Sequence, residues 1–249
     1  MKTAKSNKVG SARKALVEEL YRDYGDSYRP IRSLRVGLKK SSWMAVVEGT
    51  KFLKRIMDIV AATVGLILLS PLFLLVAIII RLEDRGPAIF WQVRVGQWGR
   101  EFRFPKFRSM VVDAESRKLE LLEENQHGDT GITFKLKRDP RITRIGSIIR
   151  KLSIDELPQF WCVLRGDMSL VGPRPPLPSE VSRYTIADRR RLDIKPGLTC
   201  IWQVSGRSEL AFDQQLRLDL QYINSHSIVL DVALLLKTVP AILSGRGAY

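Results

Sequence analysis

Apolar positions are spread unevenly along the chain. From Val60 to Ile80 it reads VAATVGLILLSPLFLLVAIII, an apolar run of 21 residues without a charge. A bilayer core needs about 20 apolar residues as helix, so the run is long enough to span. Pro71, near its middle, removes a helical hydrogen bond and clashes with the preceding turn, and Ser70 is placed to re-satisfy the freed backbone. A bend at Ser70-Pro71 is expected. Lys51, Lys54 and Arg55 precede the run and Arg81 and Arg85 follow it. The bias of Lys and Arg toward cytoplasmic loops therefore gives no orientation for one crossing. Two readings stand, a kinked helix that spans once and a re-entrant hairpin with both ends on one face.

Elsewhere the pattern is that of a mixed domain. Ala88 to Val95 and Phe102 to Phe107 are short β-rich stretches around Gly96 to Arg100, which predicts a hairpin. Asp113 to Asn125 reads as an exposed helix, broken by Gly128 to Gly131. Arg141 to Leu152 places Ile142, Ile145, Ile148 and Ile149 at helical spacing. Ser153 to Leu164 has helix-start chemistry, with Ser153 as N-cap of a Ser-x-x-Glu box or Asp155 as the cap; Pro158 favours the second, because an early helical position has no N–H bond to lose. Gly166 ends that helix. Val171 to Pro178 is a stiff extended loop in which prolines, among them Pro173 and Pro175, bracket Arg174. Phe212 to Asn224 and Ile228 to Leu243 read as helices. Pro240 should kink the second, whose apolar side suits either a membrane surface or the domain. Met1 to Ser42 reads as a mobile basic arm with one short amphipathic helix, Ala12 to Tyr24.

Composition adds a constraint on partners. The 249 residues carry a net charge of +15, which attracts lipid head groups, phosphorylated substrates or nucleic acid without choosing among them. Cys162, Cys200, His127 and His226 show no metal-ligand spacing, so reduced thiols and no structural zinc are expected. The apolar run starts too late for a cleaved signal peptide and is expected to stay in the mature protein.

The chemistry concentrates at Asp155-Glu156, an acid pair with Arg150 before it and Arg174 after it. A helix start offers unpaired N–H groups, and guanidinium groups bind phosphate oxygens in pairs. That field is expected to keep Asp155 ionised. A carboxylate can attack phosphorus, and its neighbour can hold Mg²⁺ against a diphosphate. The plainer alternative is a pair of acids that caps a helix and complements its dipole.

The order of motifs resembles the bacterial sugar transferase family, the monotopic phosphoglycosyl transferases. The residues are Lys54-Arg55-x-x-Asp58 before a run with Ser70-Pro71, then Lys106-Phe107-Arg108-Ser109-Met110, Asp155-Glu156-Leu157-Pro158-Gln159 and Gly166-Asp167-Met168-Ser169-Leu170-Val171-Gly172-Pro173-Arg174-Pro175. Lys195 to Thr199, Trp202 to Arg207 and Gly245 to Tyr249 look like the members that prime exopolysaccharide, capsule or O-antigen synthesis. Cys162, Cys200 and Pro105 depart from the Asn, Gly and Tyr expected there.

The resemblance implies an α+β, mainly helical fold: a re-entrant membrane helix broken at Ser70 and Pro71, and a small cytosolic catalytic domain with amphipathic interfacial helices and a short β-hairpin. The divisions expected are a flexible basic arm over 1–50, the membrane helix over 51–81, the catalytic core over 82–200 and a helical extension over 201–249. It implies Asp155 as nucleophile, Glu156 beside Mg²⁺, and Lys106, Arg108, Arg150 and Arg174 on substrate phosphates, with Asp167, Pro173 and Pro175 supporting the loop. The implied reaction moves a sugar 1-phosphate from a UDP-sugar to polyprenol (undecaprenyl) phosphate through an aspartyl intermediate, releasing UMP. The implied location is the cytoplasmic face of the bacterial inner membrane, in contact with membrane lipid and without nucleic acid; a homo-oligomer is left open. Because only about 50 residues precede the core, the accessory domain of large members and its regulation are expected to be absent. A non-enzymatic basic membrane adaptor and a scaffold for glycan assembly are the rival classes.

Overall fold

In a computed structural model of the protein, the structure describes Glu19 and residues 30–116, 139–206 and 210–244. Of 30–47, 243 and 244 only the helical backbone is described. The short helix expected over 12–24, most of the one expected over 113–125, the break at 128–131, Arg207 and the tail 245–249 lie outside these residues. The chain divides into two compact units, Met1–Leu53 and Lys54–Tyr249. In the first, helix α1 (Pro30–Leu68) already begins at Pro30, where irregular chain was expected. Long aliphatic and basic side chains with no internal proline favour helix there, and a fixed φ suits proline at a helix start.

The apolar run forms two helices. α1 ends at Leu68 and α2 (Ser70–Asp84) leaves it at 56°. The lost amide of Pro71 is one that would have bonded the Ile67 carbonyl; the Ser70 hydroxyl donates to that oxygen instead, at 2.8 Å. The expected bend and its repair are thus both present. No single helix among the described residues is long and apolar enough to cross a membrane, although Glu48–Leu68 and Ser70–Asp84 together are. Ile67, Leu68, Leu74, Leu75, Ile78 and Leu82 are exposed.

Beyond α2 come β1 (Ile89–Val95) and β2 (Glu101–Phe107), paired antiparallel as expected, with Phe90 opposite Lys106 and Gln92 opposite Phe104. Helix α3 (Arg144–Lys151) is capped by the Thr143 side chain, which accepts from Gly146 N at 2.9 Å. A 3₁₀ segment, Ile154–Gln159, runs into α4 (Phe160–Arg165), which Gly166 closes in the left-handed region at φ 93°. Strand β3 (Ser169–Val171) pairs in parallel with β4 (Gly197–Thr199). Between them lie the proline loop and α5 (Pro178–Val181). α6 (Ile201–Ser205), α7 (Phe212–Ser225) and α8 (Ile228–Ser244) follow. The fold is mostly helical with two small sheets.

One core joins Ala62 of α1 to Phe104, Val163, Met168, Leu170, Tyr222 and Leu234. A smaller one packs Val76 and Ile80 of α2 on Phe107 and Ile149. Polar anchors hold the foot of the apolar helix to this core. Lys54 pairs with buried Asp231 of α8, whose other oxygen lies 2.6 Å from the Tyr222 hydroxyl. The Arg55 guanidinium donates to the carbonyls of Val163 and Leu164 at 2.7 and 2.8 Å, satisfying acceptors at the C-terminus of α4. Asp58, also buried, accepts from Ser169 Oγ and Leu170 N, both at 3.1 Å.

Removing one partner of a buried ion pair leaves the other charge uncompensated. Asp231→Ala is therefore expected to lower unfolding stability by about 3 kcal/mol. Denaturation of the detergent-solubilised full chain would measure this, and a loss within error would show that Lys54 and Tyr222 find other partners.

Candidate active site

Side chains alternate across a strand, so Phe90, Gln92 and Arg94 of β1 share one face with Phe104, Lys106 and, just past β2, Arg108. All six line a single cavity of about 710 Å³. The opposite face carries the exposed Trp91 and Val93. The hairpin thus turns Gln92, Arg94 and Lys106 toward the cavity together with Phe90 and Phe104, while Glu101 and Arg103 are exposed on the other face with Trp91 and Val93.

The second wall is the turn between α3 and α4. Ser153 sits in the left-handed region at φ 54° and makes no side-chain cap, and Asp155 and Glu156 fall in the first turn of the 3₁₀ segment. Neither proposed N-cap is realised. Pro158 lies inside the 3₁₀ segment, and Glu156 is engaged by the proline loop: Arg174 Nη1 meets Glu156 Oε1 at 3.1 Å. Asp155, Glu156, Arg150 and Arg174 all reach the cavity beside Lys106.

The third wall is the proline loop. Its backbone is tied at Gly172 N to Thr199 O (3.0 Å) and at Gly197 N to Pro173 O (2.9 Å). A Cβ on Gly197 would fall 2.0 Å from Gly172 N, so this close crossing requires glycine. Across the cavity, Arg94 donates to the Pro175 carbonyl at 3.0 Å and to Gln92 Oε1 through Nε and Nη2. Val95 N also reaches Pro176 O at 2.9 Å. The loop that presents Arg174 is thereby held from both sides.

Electrostatically the site is a cation cluster around two acids. Burial, with Glu156 adding to it, raises the Asp155 carboxyl from 3.8 to about 7, against the pull of Arg150, Lys106 and Arg174. The expectation that the field keeps Asp155 fully ionised is corrected: desolvation and a like charge next door outweigh three cations. Burial, helped by repulsion from Arg94, lowers Lys106 from 10.5 to about 8, with Nζ 5.3 Å from the Phe90 ring centroid. Burial also lowers Arg94 to about 10, with Arg174 contributing. Attraction to Glu156 raises Arg174.

Of the other residues singled out in the sequence, Arg108 lines the cavity and faces Asp84, 3.4 Å away. Pro175 lines it and Pro173 is buried behind it. Asp167 is not on its wall; it pairs with Arg165 at 3.3 Å beside a separate shallow cleft. Ser70 and Pro71 belong to the helix break. Sequence reasoning missed Gln92 and Arg94, whose period-two placement with Phe90 was the available signal. It also missed a buried group beyond the loop, where Arg191 pairs with Asp219 at 2.6 Å between the rings of Tyr184 and Phe212.

Among the described residues no cluster of three or more His, Cys, Asp or Glu side chains forms a closed metal site. Mg²⁺, however, is commonly held by one or two carboxylates together with substrate phosphates and water. Glu156 fits that habit, since Arg174 meets it through Oε1.

Residues 49–245 match the family model described as bacterial sugar transferase, and the chain belongs to that family. The galactosyl transferase CpsE of Streptococcus agalactiae serotype III is 53% identical over 196 residues, 78% of this chain and 43% of CpsE. The exopolysaccharide production protein ExoY of Rhizobium meliloti is 39% identical over 202 residues, 79% of this chain and 88% of ExoY. The undecaprenyl-phosphate galactose phosphotransferase of Salmonella typhimurium is 44% identical over 204 residues, 81% of this chain and 43% of that protein. The chain therefore spans less than half the length of CpsE and of the Salmonella protein, and most of ExoY.

An acid whose pKa rises on folding carries no penalty below its unfolded value and the full penalty above its folded value. For Asp155 the penalty grows from about pH 4 to about pH 7 and is level beyond. Asp155→Asn removes it, so the variant should be more stable than the natural chain at pH 8 and equal to it near pH 4. Urea midpoints at the two pH values test this; a pH-independent difference would contradict the burial of the carboxyl.

Proposed function

We propose that this chain is a membrane-bound, Mg²⁺-dependent phosphoglycosyl transferase that moves a sugar 1-phosphate from a UDP-sugar to polyprenol phosphate, at the first step of exopolysaccharide, capsule or O-antigen assembly. The observation that carries the reading is the Asp155 carboxyl beside Glu156 in a cavity with Lys106, Arg150 and Arg174. A nucleophile among phosphate-binding cations suits phosphoryl transfer, where positioning and charge neutralisation supply most of the catalysis. The names of the relatives, which include galactosyl and undecaprenyl-phosphate galactose transfer, support the same substrates.

In the proposed first half-reaction, an Asp155 oxygen bonds to the phosphorus that carries the sugar. The bond from that phosphorus to the UMP oxygen breaks, and UMP leaves with the electron pair. Lys106, Arg150 and Arg174 neutralise the charge that gathers on the phosphate oxygens, and the proline loop fixes where Arg174 stands. Mg²⁺ would offset charge on the diphosphate, with Glu156 as its carboxylate ligand. In the second half-reaction an oxygen of polyprenol phosphate bonds to the same phosphorus and Asp155 is released, giving a polyprenol diphosphate sugar.

Membrane placement belongs to the same proposal. Both ends of the bent helix pair attach to one domain: Lys54 and Asp58 toward the start, and Val76 and Ile80, packed on Phe107 and Ile149, toward the end. A straight crossing would separate such ends by the bilayer core, about 30 Å. The attachment supports a re-entrant element on the cytoplasmic face of a bacterial inner membrane, with its exposed leucines and isoleucines in lipid.

Purified chain given radiolabelled UDP-galactose and Mg²⁺ without lipid is expected to release UMP and to become labelled. Asp155→Asn should do neither, and an active variant would remove Asp155 from the role. Since the carboxylate must be ionised and Lys106 charged, kcat/KM should be bell-shaped in pH, rising to about 7 and falling beyond about 8. A flat profile over pH 5 to 9 would oppose these assignments.

Topology has its own test in intact cells. Cysteines introduced at the exposed Ile56 and Arg85 should both resist a membrane-impermeant reagent added from outside. Labelling of one alone would restore the spanning helix.

A further inference from the structure

Arg108 differs from the cations around Asp155. It is only 6% exposed, yet its two terminal guanidinium nitrogens have no hydrogen-bond partner. The acid it faces, Asp84, stands off at 3.4 Å, and that carboxylate oxygen is itself buried without a hydrogen bond. Orphaned buried donors are costly, and a guanidinium is built to give two parallel bonds to a phosphate. The fork is also held in place. A Cβ on Gly86 would fall 1.9 Å from Nη1, so Arg108 lies in space that glycine leaves open at the turn out of α2.

Position supplies the second half of the argument. Arg108 lines the same cavity as Asp155 and faces Asp84 at the C-terminal end of α2, two residues after Leu82, which is 78% exposed. Lys106 and Arg108 are two residues apart on one face, about 7 Å along the strand direction. A phosphate held at each would be neighbours. The donor's diphosphate is accounted for by Lys106, Arg150 and Arg174, which leaves an unassigned phosphate seat with an apolar helix leading up to it.

We infer that Arg108 and the Gly86 turn form the acceptor site, which takes the phosphate monoester of a long isoprenoid alcohol while its chain follows the outer face of α2. The inference rests on the function proposed above. The acceptor's phosphate bonds to the Arg108 fork in place of the loose contact with Asp84, and its free oxygen attacks the phosphorus on Asp155. The new oxygen–phosphorus bond replaces the Asp155–phosphorus bond, whose electron pair returns to the carboxylate.

The two half-reactions separate this site from the donor's. In Arg108→Gln and in Gly86→Ala, release of UMP from UDP-galactose without acceptor should persist, while KM for polyprenol phosphate rises at least about tenfold. Arg108→Lys should recover part of the loss. Asp84→Asn, which frees the fork of its competitor, should not raise that KM. Retained UMP release also reports that the variants are folded. Equal loss of both half-reactions, or an unchanged KM for the acceptor, overturns the assignment. Failure of the natural chain to release UMP would instead overturn the proposed function, and the acceptor site with it.

Discussion

The foot of the apolar helix is fixed to the catalytic domain by charge, and the rest of the site is arranged around that attachment. Lys54, Arg55 and Asp58 lie within little more than one turn of a single helix, yet they meet three different elements, α8, α4 and β3. Each contact engages a buried residue, Asp231, Val163 or Asp58 itself. The Arg55 bonds cap α4, whose N-terminal neighbour is the 3₁₀ segment carrying Asp155 and Glu156. The Asp58 bonds steady β3, from which the proline loop departs toward Arg174. One short stretch of helix therefore sets the height of both the acid pair and the arginine loop.

The same tension between burial and charge governs the acids. A fully solvated Asp among three cations would be ionised at every physiological pH. Here the protein removes enough water that the carboxyl is poised near neutrality instead. A nucleophile in that state keeps less solvation to shed when it attacks. Lys106, moved in the opposite direction by the same desolvation, ends close to it on the pH scale.

Much of this was legible in the chain because it is local. The hairpin, the Gly166 stop, the stiff loop around Arg174 and the break at Ser70-Pro71 each follow from a few adjacent residues. The acid pair and its arginines were legible through motif order. What escaped depended on distant partners. The β3–β4 pair consists of short segments that meet only because Gly172 and Gly197 let two backbones touch. Gln92 and Arg94 look like surface residues until the opposite wall of the cavity is known. The cap at Ser153 or Asp155 failed because Ser153 adopts a left-handed turn that local propensity disfavours, and tertiary packing selected it.

The Ser70 bond to Ile67 makes the break in the apolar helix a hydrogen-bonded corner with a set angle rather than a loose hinge. α2, at 15 residues, is about 22 Å long, shorter than a bilayer core of about 30 Å. A helix that crosses must match the thickness of its membrane and tilts or distorts lipid when it does not. In the re-entrant arrangement proposed here the corner ends inside the hydrocarbon and touches one leaflet's interface only. Its depth is then a property of the protein, so the same chain should sit equally well in bilayers of different thickness and lipid composition.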